Sequence, residues 1–222
     1  MKKQYSFEDT LANIPLESSK SSRYPFMVEF TGTTEAGKTT CILEVKRKLE
    51  AKKLKVSYVC ESAELVPEDI YPKGSFEAHL FMRLTTVISI IEESLKDDCD
   101  ILLIDRGIVD GIFFTHKYIQ DYPKWTKECE GLISMLESFN FLLPDISLIF
   151  SCSPNEVIKR RGGEGRLVTR KFIENYNKLL EETTFSPYVI RYKMDTTSST
   201  PDEVASKATI IIKSEYQKSL RR

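Results

Sequence analysis

Short apolar runs alternate with longer stretches of helical periodicity along most of the chain. Phe26-Met27-Val28-Glu29-Phe30 is apolar and rich in strand-favouring side chains, so a strand is predicted over about 25–31. Thr40 to Lys53 carries Ile42, Leu43, Val45 and Leu49 at roughly helical spacing, the pattern of an amphipathic helix. Lys55-Val56-Ser57-Tyr58-Val59-Cys60 reads as a second strand. It runs into Glu61-Ser62-Ala63-Glu64, and Pro67 and Pro72 mark the loop beyond. A long helix is predicted from Ser75 to Leu95, with Phe76, Leu80, Leu84, Val87, Ile91 and Leu95 down one side and Asp97-Asp98 closing it.

Asp100-Ile101-Leu102-Leu103-Ile104-Asp105 is a continuous apolar run ending in an acid, which suits a strand buried on both faces of a parallel sheet. Ile108 to Phe141 reads as mostly helical, interrupted near Pro123. Pro144-Asp145 leads into a fourth strand, Ile146-Ser147-Leu148-Ile149-Phe150, and Ser153-Pro154 opens a helix with proline in its first turn. Gly162-Gly163-Glu164-Gly165 breaks that helix, and Lys171 to Glu182 resumes the pattern. Tyr188-Val189-Ile190-Arg191-Tyr192 is the fifth strand candidate, and Thr200 is the expected N-cap of a last helix opened by Pro201-Asp202-Glu203. Strands alternating with helices predict one α/β domain over 24–222, a parallel sheet covered on both faces, behind a polar arm at 1–23 that contains Ser18-Ser19-Lys20-Ser21-Ser22. In such sheets ligands bind beyond the carboxyl ends of the strands.

Composition narrows the picture. The 222 residues suffice for one such domain, and 32 basic against 33 acidic residues nearly cancel. That balance argues against a nucleic acid or a membrane held by bulk charge. Cys41, Cys60, Cys99, Cys129 and Cys152 lack metal-site spacing, so free thiols in a reducing compartment are expected. The first residues lack the apolar stretch of a signal peptide, and no run is long and apolar enough to span a bilayer. The expectation is a cytoplasmic protein.

The chemistry centres on Gly32-Thr33-Thr34-Glu35-Ala36-Gly37-Lys38-Thr39, which fits the phosphate-loop pattern G-x-x-x-x-G-K-[ST] between a strand and a helix. Its glycines let successive N–H groups converge on an anion, and the helix N-terminus that continues through Thr40 adds partial positive charge. Lys38 can reach the β- and γ-phosphates of ATP, and the Thr39 hydroxyl can ligate Mg²⁺. Asp105 ends the third strand, where it can accept from Mg²⁺-bound water or from Thr39, and Arg106 beside it suits an anionic acceptor. Glu61, on the same rim, could help hold Mg²⁺ or deprotonate an acceptor hydroxyl, with Glu64 a turn away as competitor. Arg160, Arg161, Arg166 and Arg170 flank the glycine break, so a lid that closes arginines over phosphates is predicted near 158–171. Arg83 could contact an acceptor base or phosphate, or reach out to water. His79 and His116 read as structural, and Phe113, Phe114, Tyr118, Trp125 and Phe172 as mainly core, with one or two of these rings able to stack on a base.

Taken in order, Gly32–Thr40, Leu102-Leu103-Ile104-Asp105-Arg106, Pro144 to Phe150, Ser153-Pro154-Asn155-Glu156-Val157 and the arginine-rich segment ending in Arg170-Lys171-Phe172 resemble the nucleoside and nucleotide kinase branch of P-loop proteins. The resemblance is greatest to thymidylate kinases. It implies a three-layer P-loop NTPase fold with a five-stranded parallel sheet, ATP with Mg²⁺, and transfer of the γ-phosphoryl group to a nucleotide or nucleoside. It further implies Lys38 and Thr39 at the donor phosphates and metal, Asp105 and Arg106 beside the acceptor, Arg160, Arg161 and Arg166 in the lid, and Arg83 on the acceptor. Two departures stand out. Gly107 follows Asp-Arg where thymidylate kinases usually carry an aromatic residue or histidine, and the second strand ends in Cys60-Glu61-Ser62 rather than Arg-Glu-Pro. Deoxynucleoside kinases also place a glutamate there as a base. The readings left open are therefore a nucleoside monophosphate kinase, a deoxynucleoside kinase using Glu61, and a non-kinase regulatory NTPase module. Related proteins are often dimers, and the helices near 75–95 and 110–140 could supply a homodimer interface.

Overall fold

Five strands, β1 (Phe26–Gly32), β2 (Val56–Val59), β3 (Ile101–Asp105), β4 (Ile146–Ser151) and β5 (Ile190–Asp195), pair in the order β2-β3-β1-β4-β5. All four pairings are parallel, with Phe30 opposite Asp105 and Gly32 opposite Phe150. This computed structural model describes residues 24–67, 72, 74–96, 98–165, 168–182 and 189–221. The arm expected at 1–23 lies outside the described residues, as do Asp97, Arg166 and Tyr188.

Every residue of β1 and β3 is buried, as their near-continuous apolar runs require of strands covered on both faces. The alternation of side chains sorts two cores. Phe26, Val28 and Phe30 face Ile42, Val45 and Leu49 of α1 (Lys38–Glu50) and Val204, Ala205, Ala208 and Ile212 of α7 (Pro201–Ser219). On the opposite face Met27, Leu102 and Ile104 meet α2 (Phe76–Ser94), α3 (Ile108–Asp121) and α4 (Thr126–Ser138) through Ile90, Ile112, Phe113 and Leu136. Each such fully buried aliphatic or aromatic side chain stabilises the fold by roughly 1.5–3 kcal/mol. After α5 (Pro154–Arg161), helix α6 (Arg170–Glu182) serves both cores, with Ile173 in the first and Tyr176 and Leu180 in the second.

Helix starts follow their caps. The Ser75 and Ser153 hydroxyls accept from Ala78 N and Glu156 N, and Thr200 and Glu203 complete a reciprocal capping box. The predicted helical stretch 108–141 divides into α3, a short 3₁₀ turn at Pro123–Trp125, α4, and a second 3₁₀ turn at Asn140–Leu142. The fifth strand starts at Ile190, two residues later than its apolar run suggested.

The face of α2 is corrected in part: Val87 is buried and Leu80 and Ile91 pack against the core as expected, but Leu84 and Leu95 do not. Leu84, Ile88 and Leu95 are 38%, 55% and 55% exposed, while His79, Arg83, Thr86 and Ser94 are buried. Polar groups point inward because partners wait there: His79 Nε2 lies 3.0 Å from Thr115 Oγ1, and Thr86 Oγ1 lies 2.6 Å from Ser62 Oγ and donates to Met82 O at 2.8 Å. The helix turns its polar side toward Ser62, beyond β2, and toward Thr115 of α3.

Candidate active site

Between β1 and α1 the chain makes the tight loop that the motif requires. Gly32 has φ 125°, and a Cβ there would collide with the Phe150 backbone, so only glycine fits. Glu35 (φ 54°) and Gly37 (φ 82°) turn the loop into α1, whose start carries no side-chain cap. The free amides of that first turn, with the helix dipole, make a cradle for an anion. Lys38 folds back onto this loop, donating to Gly32 O at 3.2 Å and Thr33 O at 3.0 Å. Burial, and then the nearby Arg106 charge, lower its pKa to about 8.

The Thr39 hydroxyl donates to Asp105 Oδ2 at 2.6 Å, joining α1 to the end of β3. Asp105 Oδ1 is buried without a hydrogen-bond partner. Burial raises the Asp105 pKa, against the pull of Thr39 and Lys38. A hydroxyl with an idle carboxylate oxygen beside it fits one direct and one water-mediated contact to Mg²⁺, an ion that keeps most of its ligands as water and phosphate. Among the described residues no group of three or more His, Cys, Asp or Glu could hold a metal, so a dedicated protein cage is not what this site offers.

Arg106 follows with a left-handed backbone (φ 61°), its N–H donating to Phe30 O at 3.1 Å. That turn sends the guanidinium inward. Its Nε lies 2.9 Å from Glu61 Oε1, close but poorly aligned for a hydrogen bond, and Nη1 lies 3.1 Å from Asp110 Oδ1. The group also lies over the Phe114 ring at 5.3 Å. Burial opposes its charge, but Asp110, Tyr176 and Glu61 more than offset that and raise its pKa. The sequence placed Arg106 and Glu61 on one rim; the structure makes them partners. Asp110 was missed, although an acid four residues after Arg106 in a helix's first turn is a readable signal. Its Oδ1 also accepts from the Thr31 hydroxyl and, at 3.4 Å, from Tyr176 Oη.

Glu29, in mid-β1, was missed as well. Its carboxylate accepts from Val109 N at 3.2 Å and Asp110 N at 2.7 Å, capping the start of α3. Burial and the Asp110 charge raise its pKa to about 8, despite those N–H bonds. A Cβ on Gly107 would stand 2.6 Å from Glu29 Oε2. The glycine that departs from the thymidylate kinase pattern therefore makes room for an acid arriving from β1.

Arg83 is 7% exposed, and its Nε and Nη1 are buried with no hydrogen-bond partner. It does not reach out to water. Burial lowers its pKa, and the charges that act on it, Asp110, Arg106 and Glu61, are those of the Arg106 cluster. The predicted lid arginines part company. Arg160 Nη2 donates to Thr196 O at 2.7 Å and Nη1 to Glu35 O at 3.3 Å, and the Thr196 hydroxyl donates to Ala36 O at 3.0 Å, so Arg160 braces the loop from outside. Arg161 lies 3.8 Å from the Glu35 carboxylate. Arg170 turns away to Asn155 Oδ1 at 2.6 Å. Arg166 and the Glu64 side chain lie outside what the structure describes. His79 packs on Tyr118 at 4.6 Å between ring centroids, with burial lowering its pKa to about 3, in keeping with a structural histidine.

No family model matches this chain, and no curated protein matches it in sequence. Among solved structures, thymidylate kinase from Candida albicans superposes with a TM-score of 0.60 at 18% identity, over 87% of this chain and 94% of that one. The chain has a three-layer α/β fold like that of thymidylate kinase, its five-stranded parallel sheet covered by helices on both faces. No helix among the described residues is long and apolar enough to cross a membrane.

Proposed function

We propose that the chain is a cytoplasmic kinase that moves the γ-phosphoryl group of Mg²⁺-bound ATP to a nucleoside monophosphate. One observation carries the choice of acceptor: the buried Arg83 guanidinium beside the Arg106 cluster, whose Nε and Nη1 have no hydrogen-bond partner. Buried cationic N–H groups left unpaired are costly, and an acceptor phosphate would complete their bonds. In this reading Lys38 leaves its loop carbonyls for the β- and γ-phosphates. Thr39 would ligate the metal and Asp105 Oδ1 would accept from its water; when bound, that ion would supply neutralising charge for the phosphates. Arg83 and Arg106 orient the acceptor, and Arg160 steadies the loop. Catalysis is then chiefly positioning and charge stabilisation. The fold shared with thymidylate kinase supports this reading.

A second reading has its own support. Glu61 Oε1 stands 2.9 Å from Arg106 Nε, which holds a carboxylate where it could take the proton of a nucleoside hydroxyl. Mg-ATP with a panel of nucleosides and nucleoside monophosphates decides. A diphosphate product that disappears in Arg83→Met supports the first reading. Phosphorylation of nucleosides that disappears in Glu61→Gln favours the second. No product from any acceptor overturns both.

A further inference from the structure

Hydrogen bonds close a ring around Gly32. On one side of this glycine the Thr31 hydroxyl donates to Asp110 Oδ1, which also receives Arg106 Nη1 at 3.1 Å and Tyr176 Oη at 3.4 Å. On the other side the Thr33 hydroxyl donates to Asn177 Oδ1, and Asn177 Nδ2 donates to Cys152 O at 2.9 Å, beyond the end of β4. Tyr176 and Asn177 are neighbours on α6. One dipeptide thus grips the acceptor-side arginine with one side chain and the donor loop with the next.

The grip is rigid. Tyr176 is 1% exposed, its ring stacked at 5.2 Å on Phe114 and 5.9 Å on Phe172, and at 5.2 Å edge-on to Phe113. Thr33 is fully buried, so its hydroxyl has no water to exchange for Asn177. Phe114 lies under Arg106 as well, so a shift of Tyr176 is felt by that guanidinium through both hydroxyl and ring.

We infer that Tyr176 and Asn177 are positioning residues that couple the donor loop to the acceptor-side Arg106, so that occupation of one side sets the geometry of the other. The inference rests on the kinase reading above. Neither residue touches the reacting atoms. Each fixes a group that does: Tyr176 holds Arg106 through Asp110, and Asn177 holds the loop through Thr33.

The test uses the full chain with Tyr176→Phe, Asn177→Leu and the double variant. Titration with Mg²⁺ and a nonhydrolysable ATP analogue reads the donor side. Steady-state phosphorylation of thymidine monophosphate by Mg-ATP reads the acceptor side. Tyr176→Phe is expected to raise the KM for the monophosphate about tenfold and leave analogue affinity within about twofold, the size of one lost hydrogen bond to a charged pair. Asn177→Leu is expected to weaken the analogue about tenfold. The double variant should lose much less kcat/KM than the product of the single losses, because either change opens the ring. Unchanged constants with a lower melting temperature, or single losses that multiply, overturn the inference. Should the wild type bind no nucleotide and phosphorylate no monophosphate, the kinase reading falls, and amide exchange still reads the ring. Exchange across residues 31–40 at least about tenfold faster in Asn177→Leu sustains it, and unchanged exchange sinks it.

Discussion

Gly107 and Glu29 occupy one another's space: the side chain that glycine lacks would stand 2.6 Å from Glu29 Oε2 and 3.1 Å from Ile104 Cγ2. Glu29 cannot swing aside without surrendering Val109 N and Asp110 N. Gly107→Ala should therefore destabilise the fold by about 1–3 kcal/mol, the usual size of overpacking a core. Urea unfolding measures it, and a neutral outcome would mean that the carboxylate has somewhere else to go.

Glu29 also makes a pH prediction. Its folded pKa of about 8 lies above the ordinary 4.5, so the folded state favours the neutral acid. The stability that this proton confers is complete below pH 4.5, declines as pH rises toward 8, and is gone above. Glu29→Gln has no proton to lose. Between pH 5 and 8 the wild type should lose stability relative to the variant, at up to about 1.4 kcal/mol per pH unit. Parallel unfolding curves for the two proteins across that window would contradict the assignment.

Lys38 adds a second titration. Its pKa of about 8 belongs to the ligand-free loop, and bound phosphates require the charged ammonium. Affinity for an ATP analogue should be nearly flat below pH 7 and fall toward about tenfold per unit above pH 8. Calorimetry at pH 8 in buffers of different ionisation heat should show proton uptake on binding. Proton release would reverse the sign of the argument.

Arg83→Met is expected to separate stability from function. Removing a buried guanidinium with idle nitrogens should raise stability, by about 1–2 kcal/mol, where the loss of a paired arginine would lower it. In the same variant the KM for the acceptor monophosphate should rise about a hundredfold, with ATP affinity little changed. Thermal melts and steady-state kinetics on one preparation report both.

The bond from Thr39 to Asp105 implies a metal phenotype. Thr39→Val and Asp105→Asn should each raise the Mg²⁺ concentration needed for half-maximal phosphoryl transfer about tenfold or more, while leaving the melting temperature of the metal-free protein within a few degrees. A Mg²⁺ dependence unchanged in both variants would remove Asp105 from the metal side.

The sheet was legible because its central strands are short apolar runs with turn residues between them, and the tight loop from β1 to α1 because its glycine spacing is set by one geometry. The buried face of α2 was legible only in part, through Leu80, Val87 and Ile91, since Leu84, Ile88 and Leu95 outweigh Arg83 and Thr86 on any hydropathy count, while inward partners exist only once Ser62 and Thr115 have been folded into place. Glu29 hid inside an apolar strand. Asp110, Tyr176 and Asn177 carry no motif; they matter because α3 and α6 converge on Gly32, and that convergence is tertiary. The arginines around the glycine break looked equivalent along the chain, but they fall on two different helices, which send Arg160 to Glu35 O and Thr196 and Arg170 to Asn155.

Around the loop, the cations Lys38, Arg83 and Arg106 face three acids, Glu61, Asp105 and Asp110, with Glu29 holding its proton at neutral pH. Three cations against three acids leave the side-chain charge of this group near balance. In the kinase reading, a triphosphate would therefore have to bring a counter-ion of its own to offset its charge.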